Sequence, residues 1–365
     1  MTKFKVIIIT LTILLPYLGQ SADNYIISQQ GFIRLQGIQQ SYSIEDYTIS
    51  EFSVPFEIYW PVSRETSLHL TTSYAGASET GSEDLSGLSD TQISWNYFLE
   101  NQNLVLNAGI SLPTGKATLS NEAFITSMAI GEHYWNFIVP NFGQGFNISP
   151  GITWALPLND ATVAGLGMAY QIRGGFIPID GLEGVYKPGD ELLLTGGLDF
   201  RLGSLSTLSW DLVFTLYGSD TYDDEEVYKS GNKVITSLQY KTWFGSHSLS
   251  LEARYRSKGK NQYLPAAGTP LTEESEKTYP DQFDLFIQYR HQYRRTVHVT
   301  YGLEGRFYQE LVYPGLNLFG LVVLPELSVS EKTNLIGRLK IWTGSFSDDS
   351  SLSGFEAGAG FVFML

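Results

Sequence analysis

Residues 296–308 read TVHVTYGLEGRFY, and their reading decides the fold. Successive side chains of an extended strand point to opposite faces. One alternate set here is Val297, Val299, Tyr301, Leu303 and Phe307; the other is His298, Thr300, Glu304 and Arg306. One face is greasy and the other carries charge. The same alternation recurs along the chain, for example in Leu68, Leu70 and Tyr74; in Ile93, Trp95, Tyr97 and Leu99; in Leu208, Trp210, Leu212, Phe214 and Leu216; and in Phe283, Leu285, Ile287 and Tyr289. A soluble sandwich would bury these apolar sets and turn their polar alternates to solvent, whereas a membrane barrel does the reverse.

The connections separate the two. One set is short, at 61–66, 100–103, 158–161, 203–205, 245–247, 292–295 and 330–333. The other is longer and polar, at 78–87, 113–143, 174–190, 218–230, 259–280, 309–317 and 345–353. Short and long connections taking turns is the layout of an up-and-down barrel with tight periplasmic turns and larger external loops. Counting hairpins predicts an all-β transmembrane antiparallel barrel of about sixteen strands. An even count places both termini in the periplasm. The first hairpin has the weakest pattern: 31–42 alternates poorly, and only Phe52, Val54, Phe56, Ile58 and Trp60 of its partner form a clear apolar set. Fourteen strands is therefore the alternative count.

At the N-terminus, Lys3 and Lys5 precede an apolar or Thr run from Val6 to Leu15, then Pro16 and the small residues Gly19, Ser21 and Ala22. This reads as a secretory signal peptide over residues 1–22, with one barrel domain over 23–365. The run falls short of the roughly 20 residues that a spanning helix needs. The chain has no cysteine, which excludes disulfides, thiolate metal sites, cysteine nucleophiles and a lipid-modified cysteine anchor. Its net charge of -15 argues against a nucleic-acid partner, because phosphate binding calls for Lys and Arg. Aromatics at 14% suit girdles at two membrane interfaces, and Tyr59 with Trp60 and Trp243 with Phe244 sit at predicted strand ends.

The last strand alternates Phe355, Ala357, Ala359, Phe361, Phe363 and Leu365 against Glu356, Gly358 and Gly360. It resembles the C-terminal signature by which the barrel-assembly machinery recognises outer-membrane proteins, with Leu365 standing where that signature usually carries an aromatic residue. The expected location is the outer membrane, in contact with its lipid and lipopolysaccharide.

Residues 87–116, GLSDTQISWNYFLENQNLVLNAGISLPTGK, resemble the transporters named for the MetA pathway of phenol degradation, in which a Gly-x-x-Asp strand opening leads through a hairpin to a Leu-Pro-Thr-Gly-Lys exit. The resemblance covers about thirty residues and implies an uptake channel for small aromatic or otherwise hydrophobic compounds. The same residues have a structural reading, since Pro113 and Gly115 end a strand.

That exit opens the longest connection, 113–143, the third external loop. Its many large apolar residues do not suit a solvated tip, and connections beyond about 12 to 15 residues are usually functional or disordered. We expect it to fold into the lumen and narrow it, as the third loop does in porins, with Phe124, Met128, Glu132, His133, Tyr134 and Trp135 at the constriction. A cap on the outer rim is the competing arrangement. The lumen wall is expected to carry Arg254, Arg256, Arg290, Glu304, Arg306, Arg338 and Lys340, interleaved with Glu252, Asp284 and Glu356. Such charges tune selectivity in pores or pair across strands as a ladder.

Acidic clusters in the long connections (Glu79, Glu83 and Asp84; Asp220 and Asp223 to Glu226; Glu273, Glu274 and Glu276; Asp348 and Asp349) lack the ordered spacing of a calcium loop. They read as exterior charge that divalent ions can bridge to lipopolysaccharide. The five histidines, His69, His133, His247, His291 and His298, form no metal pair, and no serine elbow accompanies them. The pattern calls for no cofactor, no metal and no catalysis. It points to a passive channel or uptake transporter for a small-molecule solute, with a homo-oligomer compatible with it. A closed barrel with a structural or adhesive role is the alternative.

Overall fold

The computed structural model describes residues 30–365, so the predicted signal peptide at 1–22 lies outside the described residues. Sixteen antiparallel strands close into a barrel. In chain order the first eight are Phe32–Ile44, Tyr47–Pro61, Thr66–Glu79, a strand in two pieces (Leu85–Leu88 and Thr91–Leu99), Leu104–Leu112, Asn147–Asn159, Thr162–Arg173 and Glu191–Arg201. The second eight are Ser206–Tyr217, Lys233–Phe244, His247–Lys258, Gln282–Arg294, Val297–Tyr308, Leu316–Ser328, Thr333–Phe346 and Ser351–Met364. Both pieces of the broken strand pair with Thr66–Glu79, and Ser89–Asp90 is the break. The first strand closes on the last in continuous register, from Phe32 opposite Met364 to Ile44 opposite Leu352. This settles the count at sixteen rather than fourteen.

The exposure pattern identifies the solvent on each face. Leu303, Leu321 and Ile341 are 52%, 60% and 55% exposed on the outside, while Glu304 and Arg306 are 6% and 4% exposed within. Hydrocarbon outward and charge inward would unfold a water-soluble protein; in lipid it is the stable arrangement. With every strand edge paired around the ring, the chain is an outer-membrane β-barrel.

The short turns fall where the spacing put them, and Gly203 and Gly245 adopt positive φ in two of them (81° and 65°). The connection expected at 345–353 shrinks to 347–350, and two others are also short. The first hairpin turns externally on Glu45 and Asp46 alone, with Glu45 at φ 50°. The connection expected at 78–87 shrinks to 80–84, because the strands continue to Glu79 and resume at Leu85.

The largest buried apolar cluster sits inside the barrel, where Ile38, Tyr42, Ile49, Leu316, Leu318, Trp342 and Leu352 of the wall meet Ile130, Trp135, Phe137, Ile138, Val139 and Phe142 of the third external loop. This explains the poor alternation of 31–42: Ile38 and Tyr42 are inward residues made apolar by a protein partner, so the inward face mixes them with Arg34, Gln36 and Gln40.

Three external connections build a second antiparallel sheet from Tyr186–Lys187, Ser219–Tyr222, Glu225–Lys229, Gln262–Tyr263 and Thr272–Glu273. Its acidic residues tie loops together. Asp220 accepts the Gly189 amide at 2.7 Å and the Tyr186 hydroxyl, and Asp223 accepts the Val185 amide at 2.8 Å. Glu274 accepts the amides of Asn261 (2.9 Å) and Thr278 (3.1 Å) and the Thr278 hydroxyl (2.6 Å). Among the described residues, no three acidic or histidine side chains converge in a way that would hold a metal ion.

Candidate functional site: the lumen and its third loop

The third external loop leaves and re-enters the wall through a neck built by the Gly87–Lys116 stretch. One oxygen of Asp90 accepts the Gly115 amide at 3.0 Å and the other accepts the Gln144 amide at 2.7 Å, so a single carboxylate holds both ends of the loop. The Thr114 hydroxyl donates to the Ser89 carbonyl (3.1 Å) and accepts the Thr91 amide (2.8 Å). Gly115 is required by close approach, since a Cβ there would collide with the Phe142 carbonyl. The Gly-x-x-Asp and Pro-Thr-Gly-Lys elements thus form one clamp.

Beyond the neck the chain pairs briefly with the fourth external loop, with the Leu119 amide on the Pro178 carbonyl and the Asp180 amide on the Leu119 carbonyl (3.0 and 2.7 Å). It then forms a helix, Asn121–Ile130. Ser120 caps it by accepting the Ala123 amide at 3.1 Å and donating to Glu83 at 2.8 Å. Thr126, fully buried, donates to the Glu83 carbonyl at 2.7 Å.

After the helix the loop runs along the inside of the wall, bonded to inward side chains of the first two strands. Gln40 donates to the Asn136 carbonyl at 3.3 Å and accepts the Ile138 amide at 2.9 Å. Glu51 accepts the Val139 amide with both oxygens, at 3.0 and 3.2 Å. Tyr42 donates to the Trp135 carbonyl, and its ring stacks on Trp342 (5.3 Å between centres) and meets Phe137 edge-on (5.5 Å). On the other flank Tyr308 donates to the His133 carbonyl at 3.3 Å and Tyr134 to the Pro314 carbonyl at 3.3 Å. Burial, with the Glu132 carboxylate beside it, pushes the Tyr134 phenol up to about 12, which keeps it a donor. The loop therefore spans the join between the first and last strands.

The six residues expected at the constriction separate by exposure. Trp135 is buried in the cluster and Phe124 packs against it. Tyr134 and His133 are half-buried, with ring centres 4.0 Å apart and each near Tyr308. Glu132 and Met128 are exposed, Met128 at 60%.

Of the ten expected wall charges, eight are in ion pairs. Glu304 takes Lys340 (3.1 Å), Trp342 (3.3 Å) and Arg306 (3.4 Å). Arg338 pairs with Glu356, which also accepts Gln40 at 3.0 Å; Arg254 pairs with Glu252 at 2.6 Å and Arg290 with Glu326 at 2.8 Å. Arg256 makes no ion pair among the described residues. Sequence reasoning missed Gln40, Glu51 and the Arg34–Glu57–His69 group (3.2 and 2.8 Å). The signal for them was the alternation of the first hairpin, masked by its apolar inward neighbours.

The loop packs against the inward side of the wall next to the join. The facing wall, from Asn147–Asn159 round to His247–Lys258, turns inward Thr153, Asp199, Asp211, Ser237, Gln239 and Glu252, all polar and half-buried. No loop residue packs on these in a buried cluster.

No family model matches the chain, and no curated protein matches it. Solved structures of similar fold include OccK5 (OpdH) of Pseudomonas aeruginosa, at 8% identity and TM-score 0.48, covering 92% of this chain and 98% of that one. The outer membrane channel DcaP of Acinetobacter baumannii matches at 9% identity and TM-score 0.44, with 92% and 97% covered. The CymD monoaromatic hydrocarbon channel matches at 12% identity and TM-score 0.44, with 92% and 89% covered. At these identities the likeness concerns the fold alone.

Proposed function

We propose that the protein is a passive outer-membrane channel for small solutes, with the third external loop setting the bore. One observation carries this reading: the loop is packed against the wall at the join, while the facing wall keeps half-exposed polar side chains of the kind that line an aqueous path. A barrel closed for purely structural reasons would gain by filling that side with apolar residues too. We assign the constriction edge to Glu132, His133 and Tyr134, since the His133 ring lies 5.7 Å from the Tyr279 ring of the sixth external loop.

The likeness of Gly87–Lys116 to the MetA-pathway transporters extends the proposal to small aromatic or hydrophobic solutes. Assembly through the barrel-assembly machinery belongs to the same proposal, on the strength of the Phe361 and Phe363 pattern in the last strand. The test is to replace residues 118–141 by a short Gly/Ser linker and record single-channel currents in planar bilayers. A several-fold rise in conductance, with faster liposome swelling for sugars, is expected. Unchanged current and flux would overturn the constriction.

A further inference from the structure

Three cations on the external half of the facing wall make no direct ion pair among the described residues. Lys233 and Lys258 are direct cross-strand partners, and Arg256 lies two positions along on the same inward face, opposite Ile235. Ring faces support the lysines instead: Lys258 Nζ lies 3.8 Å from the centre of Tyr279 and 6.0 Å from that of Tyr217, and Lys233 Nζ lies 5.9 Å from Tyr217. The carboxylates whose field reaches Lys258 are those of Glu274, Asp220 and Glu191. All three are engaged elsewhere, Glu274 with Asn261 and Thr278, Asp220 with Gly189 and Tyr186, and Glu191 with Arg173.

Like charges directly opposite each other destabilise a sheet, and half-burying them adds a desolvation cost. Elsewhere the wall avoids this: Arg254, Arg290, Arg306, Arg338 and Lys340 each have a carboxylate. Here the barrel keeps two lysines and an arginine together, partly open to the lumen, with tyrosine rings around them. An anion placed among them would relieve both costs. Three positive charges relieve most when the anion carries more than one negative charge.

We propose that Lys233, Arg256 and Lys258 form a binding site at the external mouth of the lumen for small polyvalent oxyanions, dicarboxylates or phosphate. The site deepens the channel reading and rests on it for its part in permeation, whereas binding is measured without conduction. The folded barrel in detergent at low ionic strength is titrated calorimetrically with succinate, with inorganic phosphate and with acetate. Succinate or phosphate is expected to bind, the tighter of the two identifying the group recognised, and acetate to bind at least about tenfold more weakly. The K233Q/K258Q variant is expected to lose about tenfold or more in affinity for the preferred anion, whereas K332Q, in a periplasmic turn, is expected to match the parent. Singly, K233Q and K258Q carry the test if the double variant does not show heat-modifiable gel mobility, and each is expected to raise the urea midpoint by removing the like-charge contact. The proposal is overturned if neither polyvalent anion binds, if acetate binds as tightly, or if the double variant keeps full affinity. Binding without measurable conductance would leave the site standing and sink the channel reading; conductance without binding would do the reverse.

Discussion

Asp90 holds both ends of the third loop's neck, accepting the Gly115 amide with one oxygen and the Gln144 amide with the other. Removing it in Asp90→Ala strands the Gly115 and Gln144 amides, at a cost of about 1–3 kcal/mol each where they stay dry. Asp90→Asn keeps one acceptor oxygen and falls between. The urea midpoint, together with protease cleavage within residues 113–143, measures both. The Gly-x-x-Asp and Pro-Thr-Gly-Lys residues stood out in the sequence; the clamp did not, since the bonded amides lie 25 and 54 positions from the carboxylate. Glu274 gives a second test at this scale. Burial raises its carboxyl, but the Thr278 hydroxyl, the Asn261 and Thr278 amides and the Asn261 side chain outweigh that and hold it below its ordinary value. A depressed folded value means that the ordered sixth loop gains from the carboxylate above the unfolded value of about 4.3 and loses that gain as pH falls through the folded one. Hydrogen exchange at the Asn261 and Thr278 amides, corrected for intrinsic rate, should therefore accelerate between pH 6 and pH 3, and Glu274→Gln should show the faster exchange already at pH 6.

At the scale of elements, the third loop behaves as a small hydrophobic core lodged in a membrane protein. Phe137 is 4% exposed and meets Tyr42 edge-on. Truncation in Phe137→Ala is expected to cost about 3–5 kcal/mol of loop docking, as for a phenylalanine in a soluble core. Single-channel records should then show added current noise as the loop fluctuates. That this stretch would fold inward was legible from its load of large apolar residues. Its helix was not: Ser120 is followed at the third position by Ala123 rather than the Glu or Gln of a capping box, and exposed Ile125 and Met128 blur any single apolar face. The first strand shows the opposite failure. Its period-two pattern vanished because inward Ile38 and Tyr42 answer to the loop rather than to water. Alternation reports a strand only where the two faces meet different solvents.

For the whole molecule, the division between hydrocarbon and lumen predicts opposite tolerances on neighbouring positions. Ile287 faces outward near the middle of its strand, Gln282–Arg294, and is 44% exposed. Ile287→Arg should cost about 2–4 kcal/mol in lipid vesicles, read from unfolding in urea. Gln288, turned inward on the same strand opposite Gly302, should accept Arg with little change in stability. A count of about sixteen followed from turn spacing, because every crossing has to traverse the same thickness of lipid; the choice of sixteen over fourteen came from the pairing of the first strand with the last. What lay beyond the sequence was which inward charges would meet, since Glu304 and Lys340 stand two strands apart, and within the last hairpin it is Lys340, not Arg338, that lies directly opposite Glu356.

The junction of Phe32–Ile44 with Ser351–Met364 is the one place where the ring is stitched by strands from opposite ends of the chain. Val139 and Ile138 hang from Glu51 and Gln40 on one bank, and His133 and Tyr134 from Tyr308 and Pro314 on the other. A segment synthesised in the first half of the polypeptide thus acts as a rivet across the slit, and it can be driven home only after the final stave arrives. Loosening it would shorten the lifetime of the closed cylinder while leaving the speed of insertion almost untouched, so on the proposed channel reading longevity in the membrane and width of the passage would answer to the same few residues.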